Sequence, residues 1–365
     1  MDTGPCRPPI KPVEPPGLDR RRCLGGLCLL AGLARGAGAA VPREATGPRR
    51  VLFLVQDYRN GGITKVYRSF EEACRELGWQ LHVANGEGDR AKLVQLFEQA
   101  LRARVDGVVL GGFDEGDFAE ALARHSGSAP VLVGWHAASR PGPTATLFAN
   151  VSSDPLAVAD MAAALVLQTA PRRAGVVIFN DSRFEIANVK TQRMREALLR
   201  SGRCDILAVE DLPISQASRD VPAALARLQQ RFGPRWTHLL AINDAYMDSM
   251  HFPLQDLGRG DIVGIAAGDG SRTALSRIRS GRSQQVATIA EPAGMQGWQL
   301  ADELHRAFQG LPHSGRVAQP VAVTTDYLRN LGGGEIDDAL PFRAEYRQQW
   351  RVPASAPRSP SSSSR

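Results

Sequence analysis

From residue 51 the chain keeps one rhythm almost to its end. Short apolar runs alternate with segments of about ten to fifteen residues whose apolar positions recur at helical spacing. The spacing predicts strands over 51–55, 80–84, 105–110, 130–134 and 147–151, then over 175–179, 205–209, 238–242, 262–265, 286–289 and 321–324. Helices are expected between them, over 66–77, 91–103, 117–124, 155–168, 186–199, 218–232, 246–257, 272–280 and 293–309. Strands separated by helices cannot pair as hairpins, so neighbouring strands run parallel and helices cover both faces of the sheet. About ten strands are too many for one comfortable sheet. The expected fold class is α/β, with two doubly wound parallel-sheet lobes and a seam near 150–154. Asp154 can cap a helix starting at Pro155, a residue suited to a first helical turn.

A net charge of +6 invites a nucleic-acid reading. The location of the charges removes it. Residues 1–40 hold six basic and three acidic side chains, and residues 341–365 hold five Arg and one Glu. The intervening body is close to neutral, so no nucleic-acid partner is expected. The N-terminal end reads as an export signal: Arg20, Arg21 and Arg22, an apolar run over 23–34, and Ala37-Gly38-Ala39 as a cleavage site. That run is too short to span a membrane. A Sec signal and a weak twin-arginine signal both fit, which places the mature protein in the periplasm. Residues 346–365, rich in Arg, Pro and Ser, are expected to form a flexible tail. Cys6, Cys23 and Cys28 leave with the signal, and Cys74 and Cys204 are expected to be buried thiols rather than a bridge.

Open α/β sheets bind ligands at the carboxyl ends of their strands, so the residues standing there are the candidates. The loop 56–62 (QDYRNGG) brings Tyr58 and Asn60 but lacks the spacing of a phosphate-binding loop. Trp135 and His136 end the fourth strand, and a Trp there can stack on a flat ligand or the apolar face of a sugar. Lys190, one of four lysines among 44 basic residues, follows the strand 175–179. Asn243, Asp269 and Glu291 follow three further strands. Catalysis is poorly served: there is no nucleophile elbow, and His136 has no partners at metal-ligand spacing. No catalytic residue, metal or cofactor is expected. Planar amides and carboxylates suit recognition of hydroxyl groups.

Seven stretches carry a resemblance: SFEEACRELGW (69–79), VDGVVLGG (105–112), PVLVGW (130–135), NVSSD (150–154), LLAINDAYMDSM (239–250), GDGSRTALSRIRSG (268–281) and ATIAEPAGMQG (287–297). In this order they are similar to the periplasmic sugar-binding proteins of ABC transporters, of the ribose- and galactose-binding type, over residues 50–330. The resemblance implies the type I periplasmic binding protein fold, with the lobes joined by a three-stranded hinge. Crossings then fall near 150, 290 and 319. The N-terminal lobe spans 50–150 plus 291–318, and the C-terminal lobe 151–290 plus 319–345. By position, ligand contacts fall at Asn60, Ile63, Trp135, His136, Lys190, Asn243, Asp269 and Glu291.

Departures from the ribose pattern bear on the ligand. Its loop Asn-Pro-Phe-Phe is Asn60-Gly61-Gly62-Ile63 here, which moves aromatic stacking to Trp135 or Tyr58. Its Asp-Arg pair is Trp135-His136, an Arg is Lys190 and a Gln is Glu291. The implied function is a monomeric receptor that closes on a small polar ligand, a sugar or polyol, and presents it to a membrane permease. The same architecture serves sensing, with docking on a histidine kinase or chemoreceptor.

Overall fold

The computed structural model describes residues 47–170, 172–332 and 335–351. The expected export segment and the tail beyond 351 lie outside these residues. The first lobe comprises β1 (Arg50–Val55), α1 (Gly61–Glu76), β2 (Gln80–Asn85), α2 (Arg90–Ala103), β3 (Gly107–Gly111), α3 (Ala119–Arg124), β4 (Val131–Trp135) and β5 (Ala149–Val151). The second continues with α4 (Pro155–Thr169), β6 (Ala174–Asn180), α5 (Glu185–Arg200), β7 (Cys204–Asp211), α6 (Ala217–Phe232), β8 (His238–Ala241), α7 (His251–Asp256), β9 (Val263–Ala266), α8 (Arg272–Ser280) and β10 (Gln285–Ala290). Then follow α9 (Ala293–Phe308), β11 (Val321–Thr324), α10 (Thr325–Leu331) and α11 (Phe342–Arg351).

The first sheet has the order β2-β1-β3-β4-β5 and is parallel throughout. The second has the order β11-β10-β9-β8-β6-β7, parallel except at its edge, where β11 runs antiparallel to β10. This corrects the all-parallel expectation: β11 re-enters its sheet from the other lobe, so no crossover helix on its own sheet sets its direction. The alternation of β1 shows why its run is apolar on every residue. Val51, Phe53 and Val55 pack with α1 and α9, while Leu52 and Leu54 pack with α2. Both faces are covered, so both parities are apolar.

Caps set the helix starts. The Asn60 side chain accepts from the Gly62 N–H at 2.9 Å, so α1 begins at Gly61, five residues before the apolar spacing starts. The Asp154 side chain accepts from Leu156 N–H at 2.9 Å ahead of Pro155. The helix expected over 246–257 is divided into a 3-10 segment, Asp244–Ser249, and α7. Pro253 explains the break: its ring would clash with the carbonyl of Ser249 in a continuous helix, but it is tolerated in the first turn of α7.

Three segments join the lobes: β5 to α4, β10 to α9, and α9 to β11. The first and third touch as a parallel bridge between Ser153 and Ala318. Beyond α10 the chain returns once more, and α11 packs on α9 of the first lobe. There Trp350 stacks on Trp298 at 5.2 Å and 2°, Tyr346 is 1% exposed, and Arg343 pairs with Glu72 at 3.0 Å. Residues 342–351 are therefore a docked helix, which corrects both the tail boundary at 346 and the assignment of 342–345 to the C-terminal lobe. Phe342, Tyr346 and Trp350 recur at helical spacing and supply the apolar face that the Arg and Pro content obscures. Cys74 and Cys204 are free and buried in different lobes.

Candidate functional site

The carboxyl ends of both sheets converge on one cavity of about 50 Å³. Gln56 follows β1, Gly112 follows β3, and Trp135 and His136 end β4. From the other lobe come Lys190 on α5, Ile214 after β7, Asn243 after β8 and Asp269 after β9. Of the residues singled out from the sequence, the structure brings Asn60, Trp135, His136, Lys190, Asn243 and Asp269 to this cavity. Tyr58 and Ile63 are not among its lining. Tyr58 is 36% exposed and meets Tyr67 edge-on at 5.8 Å, while Ile63 is buried in the core of the first lobe. Ile63 sits directly behind Gly112, where a Cβ would meet its Cδ1 at 2.8 Å, so it backs the cavity wall without lining it.

Glu291 stands behind the cavity, in the segment joining β10 to α9, and is the centre of a buried network. Its Oε2 accepts from Ser153 N–H at 3.0 Å and from Gln296 Nε2 at 3.2 Å, and lies 3.0 Å from His136 Nε2. Its Oε1 is 3.5 Å from the Lys190 ammonium, which also donates to Ala267 O at 2.9 Å. One carboxylate thus touches the first joining segment, both lobes and α9. Burial alone would push its carboxyl upward, but His136 and Lys190 outweigh burial and hold it well below the usual range.

Trp135 is 2% exposed, and the His136 ring lies on it at 4.2 Å and 13°. Its Nε1 donates to Gln296 Oε1 at 2.9 Å. His136 takes a left-handed backbone, φ 53°, at a cost of about 1–2 kcal/mol that the stack and the Glu291 contact offset. One face of the indole is therefore covered by the His136 ring, and both residues line the cavity. Gln296, fully buried, orients both Trp135 and Glu291. Nothing in its local sequence separates it from any other helical Gln.

Across the cavity, Asp269 accepts from Asn243 Nδ2 at 2.6 Å. The loop carrying it is held by Asp244, whose Oδ2 accepts from the backbone N–H groups of Asp269, Gly270 and Ser271 at 2.8–3.1 Å. Burial pushes the Asp269 carboxyl up despite Lys190 and His136 nearby. Burial, reinforced by the Asp269 charge, pushes Asp244 up to about 6. Ligand atoms of His136, Asp269 and Glu291 lie within 4.8 Å of one another, a spacing that a metal ion can bridge. The Lys190 ammonium supplies a positive charge at Glu291, 3.5 Å from its Oε1.

The lobes are closed on each other. A Cβ on Gly62 would lie 2.5 Å from Asp269 Oδ2, and one on Gly88 would lie 2.8 Å from Ser215 Cβ. At another point of the contact between the lobes, Asp114 Oδ2 accepts from Glu185 N–H, at the start of α5, at 3.0 Å. The glycines that replace a bulky loop therefore allow main chain and carboxylate to approach across the cleft.

Two α/β lobes closed over a cavity at their strand ends, where polar side chains stand among Phe184, Ile186, Ile214 and Ile242, define a ligand-enclosing class of protein. The Periplasmic binding protein domain family matches residues 51–312, and the chain belongs to that family. Among solved structures it is similar to a glucose-galactose binding protein from Geobacillus stearothermophilus, with 14% identity and a TM-score of 0.67, covering 78% of this chain and 99% of that one. It is also similar to an ABC transporter solute binding protein from Mycobacterium smegmatis with bound glycerol, at 17% identity and TM-score 0.68, covering 79% and 98%. A third, from Bacillus halodurans with bound myo-inositol, shows 12% identity and TM-score 0.66 over 79% and 99%. At these identities the likeness is one of fold. No curated protein matches the chain. Among the described residues, no helix is long and apolar enough to cross a membrane.

Proposed function

We propose that the chain is a periplasmic receptor that closes its two lobes on a sugar or polyol and presents the closed form to an ABC transporter permease. The observation that carries the reading is the inter-lobe cavity, where Asn60, His136, Lys190, Asn243 and Asp269 converge from five separate elements. Such a set offers both donors and acceptors to hydroxyl groups, and hydroxyls need both. Asp269 Oδ2 is engaged by Asn243, and no hydrogen bond among the described residues occupies its Oδ1. A carboxylate oxygen facing a cavity is a ready acceptor for a ligand hydroxyl. Relatives of the same fold with bound glycerol and myo-inositol support the ligand class. The export signal read from the sequence supports the compartment.

Binding energy is available because closure buries these groups together, and the closed form is the one a partner can distinguish. Mass spectrometry of small molecules released from denatured protein, with a thermal-shift panel of sugars, polyols and amines, tests the reading. A released or stabilising sugar or polyol is expected, with Asp269→Asn weakening it by about 1.5–3 kcal/mol through loss of a charge-assisted hydrogen bond. A panel in which only amines or organic acids stabilise the protein overturns it.

A further inference from the structure

A second, larger opening lies beside the cavity. It is a groove of about 730 Å³, walled by α1 of the first lobe and α8 of the second. Asn60 and Asp269 line the inner cavity, whereas Gly61 and Gly270, one residue further along each wall, line the groove.

Its charge is lopsided. Lys65, Arg68, Arg272, Arg279 and Arg343 reach it against two acids, Glu335 and Asp337. The acids are already engaged: Lys65 pairs with Asp337 at 2.5 Å and with Glu335 at 3.3 Å, and Arg272 pairs with Glu335 at 2.7 Å; Arg343 is itself held by Glu72 at 3.0 Å. Arg68 on α1 and Arg279 on α8 are exposed and have no ion pair or hydrogen bond among the described residues. A lone exposed Arg is ordinary. Two of them on opposite lobes, facing one concave space with a cationic surplus, make a complementary surface for a partner that is negative and narrow.

The chain's own ends have the wrong sign. Residues 352–365 carry two Arg and no acid, and residues 1–46 carry seven basic and four acidic side chains. A flat anionic bilayer does not follow the walls of a concave groove. We propose that the groove between α1 and α8 docks an acidic segment of a partner protein, gripped by Arg68 on one lobe and Arg279 on the other. Docking then requires the two walls at their closed spacing, so the partner reads closure directly. This rests on the receptor reading for the meaning of closure, but the charge complementarity is independent of which small ligand is bound.

Fluorescence anisotropy with a labelled ten-residue oligoglutamate peptide, at low and at 0.15 M salt, tests it on the full chain. Arg68→Glu and Arg279→Glu are each expected to weaken binding at least tenfold, and the pair more than either alone. Arg195→Glu and Arg200→Glu, on exposed positions of α5, change net charge equally and are expected to leave binding within twofold. Equal losses from both sets, or a loss from only one wall, overturn cross-lobe docking. So does binding to vesicles containing anionic phosphatidylglycerol that depends on Arg68 and Arg279 while the peptide shows none. Peptide docking without any polyol binding sinks the receptor reading and leaves the groove assignment standing; the reverse sinks only the groove.

Discussion

Replacing Glu291 by Gln tests whether one buried carboxylate holds the lobes together. Glu291 and Lys190 are 3.5 Å apart with side chains 2% and 5% exposed. At an effective dielectric of about 20, that pair attracts by roughly 5 kcal/mol before desolvation is counted. Removing the negative partner leaves a buried ammonium with Ala267 O as its hydrogen-bond acceptor, a situation that costs about 3–5 kcal/mol. With a urea slope near 2–3 kcal/mol/M, the unfolding midpoint falls by roughly 1–2 M. Lys190→Met is expected to cost less, because Glu291 keeps Ser153 N–H, Gln296 and His136 as partners. The double variant should recover much of the loss, since a neutral pair leaves no stranded charge. The coupling energy from the cycle is then at least about 2 kcal/mol. The pH dependence has a definite sign. Glu291 is held below its unfolded value, so its contribution is complete above about pH 4.3 and is lost as pH falls toward the folded value. Glu291→Gln should lack that share of acid sensitivity. Urea melts followed by circular dichroism, from pH 3 to 7, measure both effects. Additive single variants, or a Glu291→Gln cost below 1 kcal/mol, refute the hub.

Gly62→Ala places a methyl group 2.5 Å from Asp269 Oδ2. It is expected to weaken ligand binding at least tenfold and enlarge the radius of gyration in small-angle scattering, while the urea midpoint barely moves. Asp114, whose Oδ1 is buried without a partner among the described residues, is pushed up to about 6 by burial, against the hydrogen bond it accepts from Glu185 N–H; the Asp117 and Glu185 charges add to the shift and Arg90 opposes it. If opening the lobes exposes it, its carboxyl returns toward 4; closure then takes up a proton, and ligand affinity is expected to rise up to about tenfold from pH 7 to pH 5. Asp114→Asn should remove that share, and calorimetry showing an unchanged slope in the variant excludes it. Tyr346→Ala removes a side chain 1% exposed under the Trp298 stack and should cost about 3 kcal/mol; a change below 0.5 kcal/mol means that α11 is only loosely docked.

The apolar rhythm gave away most strands and helices because parallel strands covered on both faces are apolar at every position, a pattern no surface element imitates. The strand-end rule gave the cavity for a related reason: the carboxyl ends of the two parallel sheets face each other, so Gln56, His136, Asn243 and Asp269, each just past a strand, meet in the crevice. What stayed hidden depends on contacts distant in sequence. Gln296 is distinguished by its bond to Trp135, 161 residues away, and Tyr58 meets Tyr67 on α1 instead of the cavity. The helix α11 was masked by composition, since its five polar or charged positions between Phe342 and Trp350 look like a tail until Trp298 supplies the surface that its aromatic residues cover. The substitutions at the cleft follow the same logic and read as one change. Set against the ribose pattern that the sequence resembles, glycines at 61 and 62 remove bulk from one wall, Lys190 keeps the charge of an Arg, and Glu291 adds a carboxylate. Where the resemblance implies a loop that stacks on a ligand, this chain has a loop whose Gly62 lets the Asp269 carboxylate of the other lobe come close, and the buried groups around it are ions and amides.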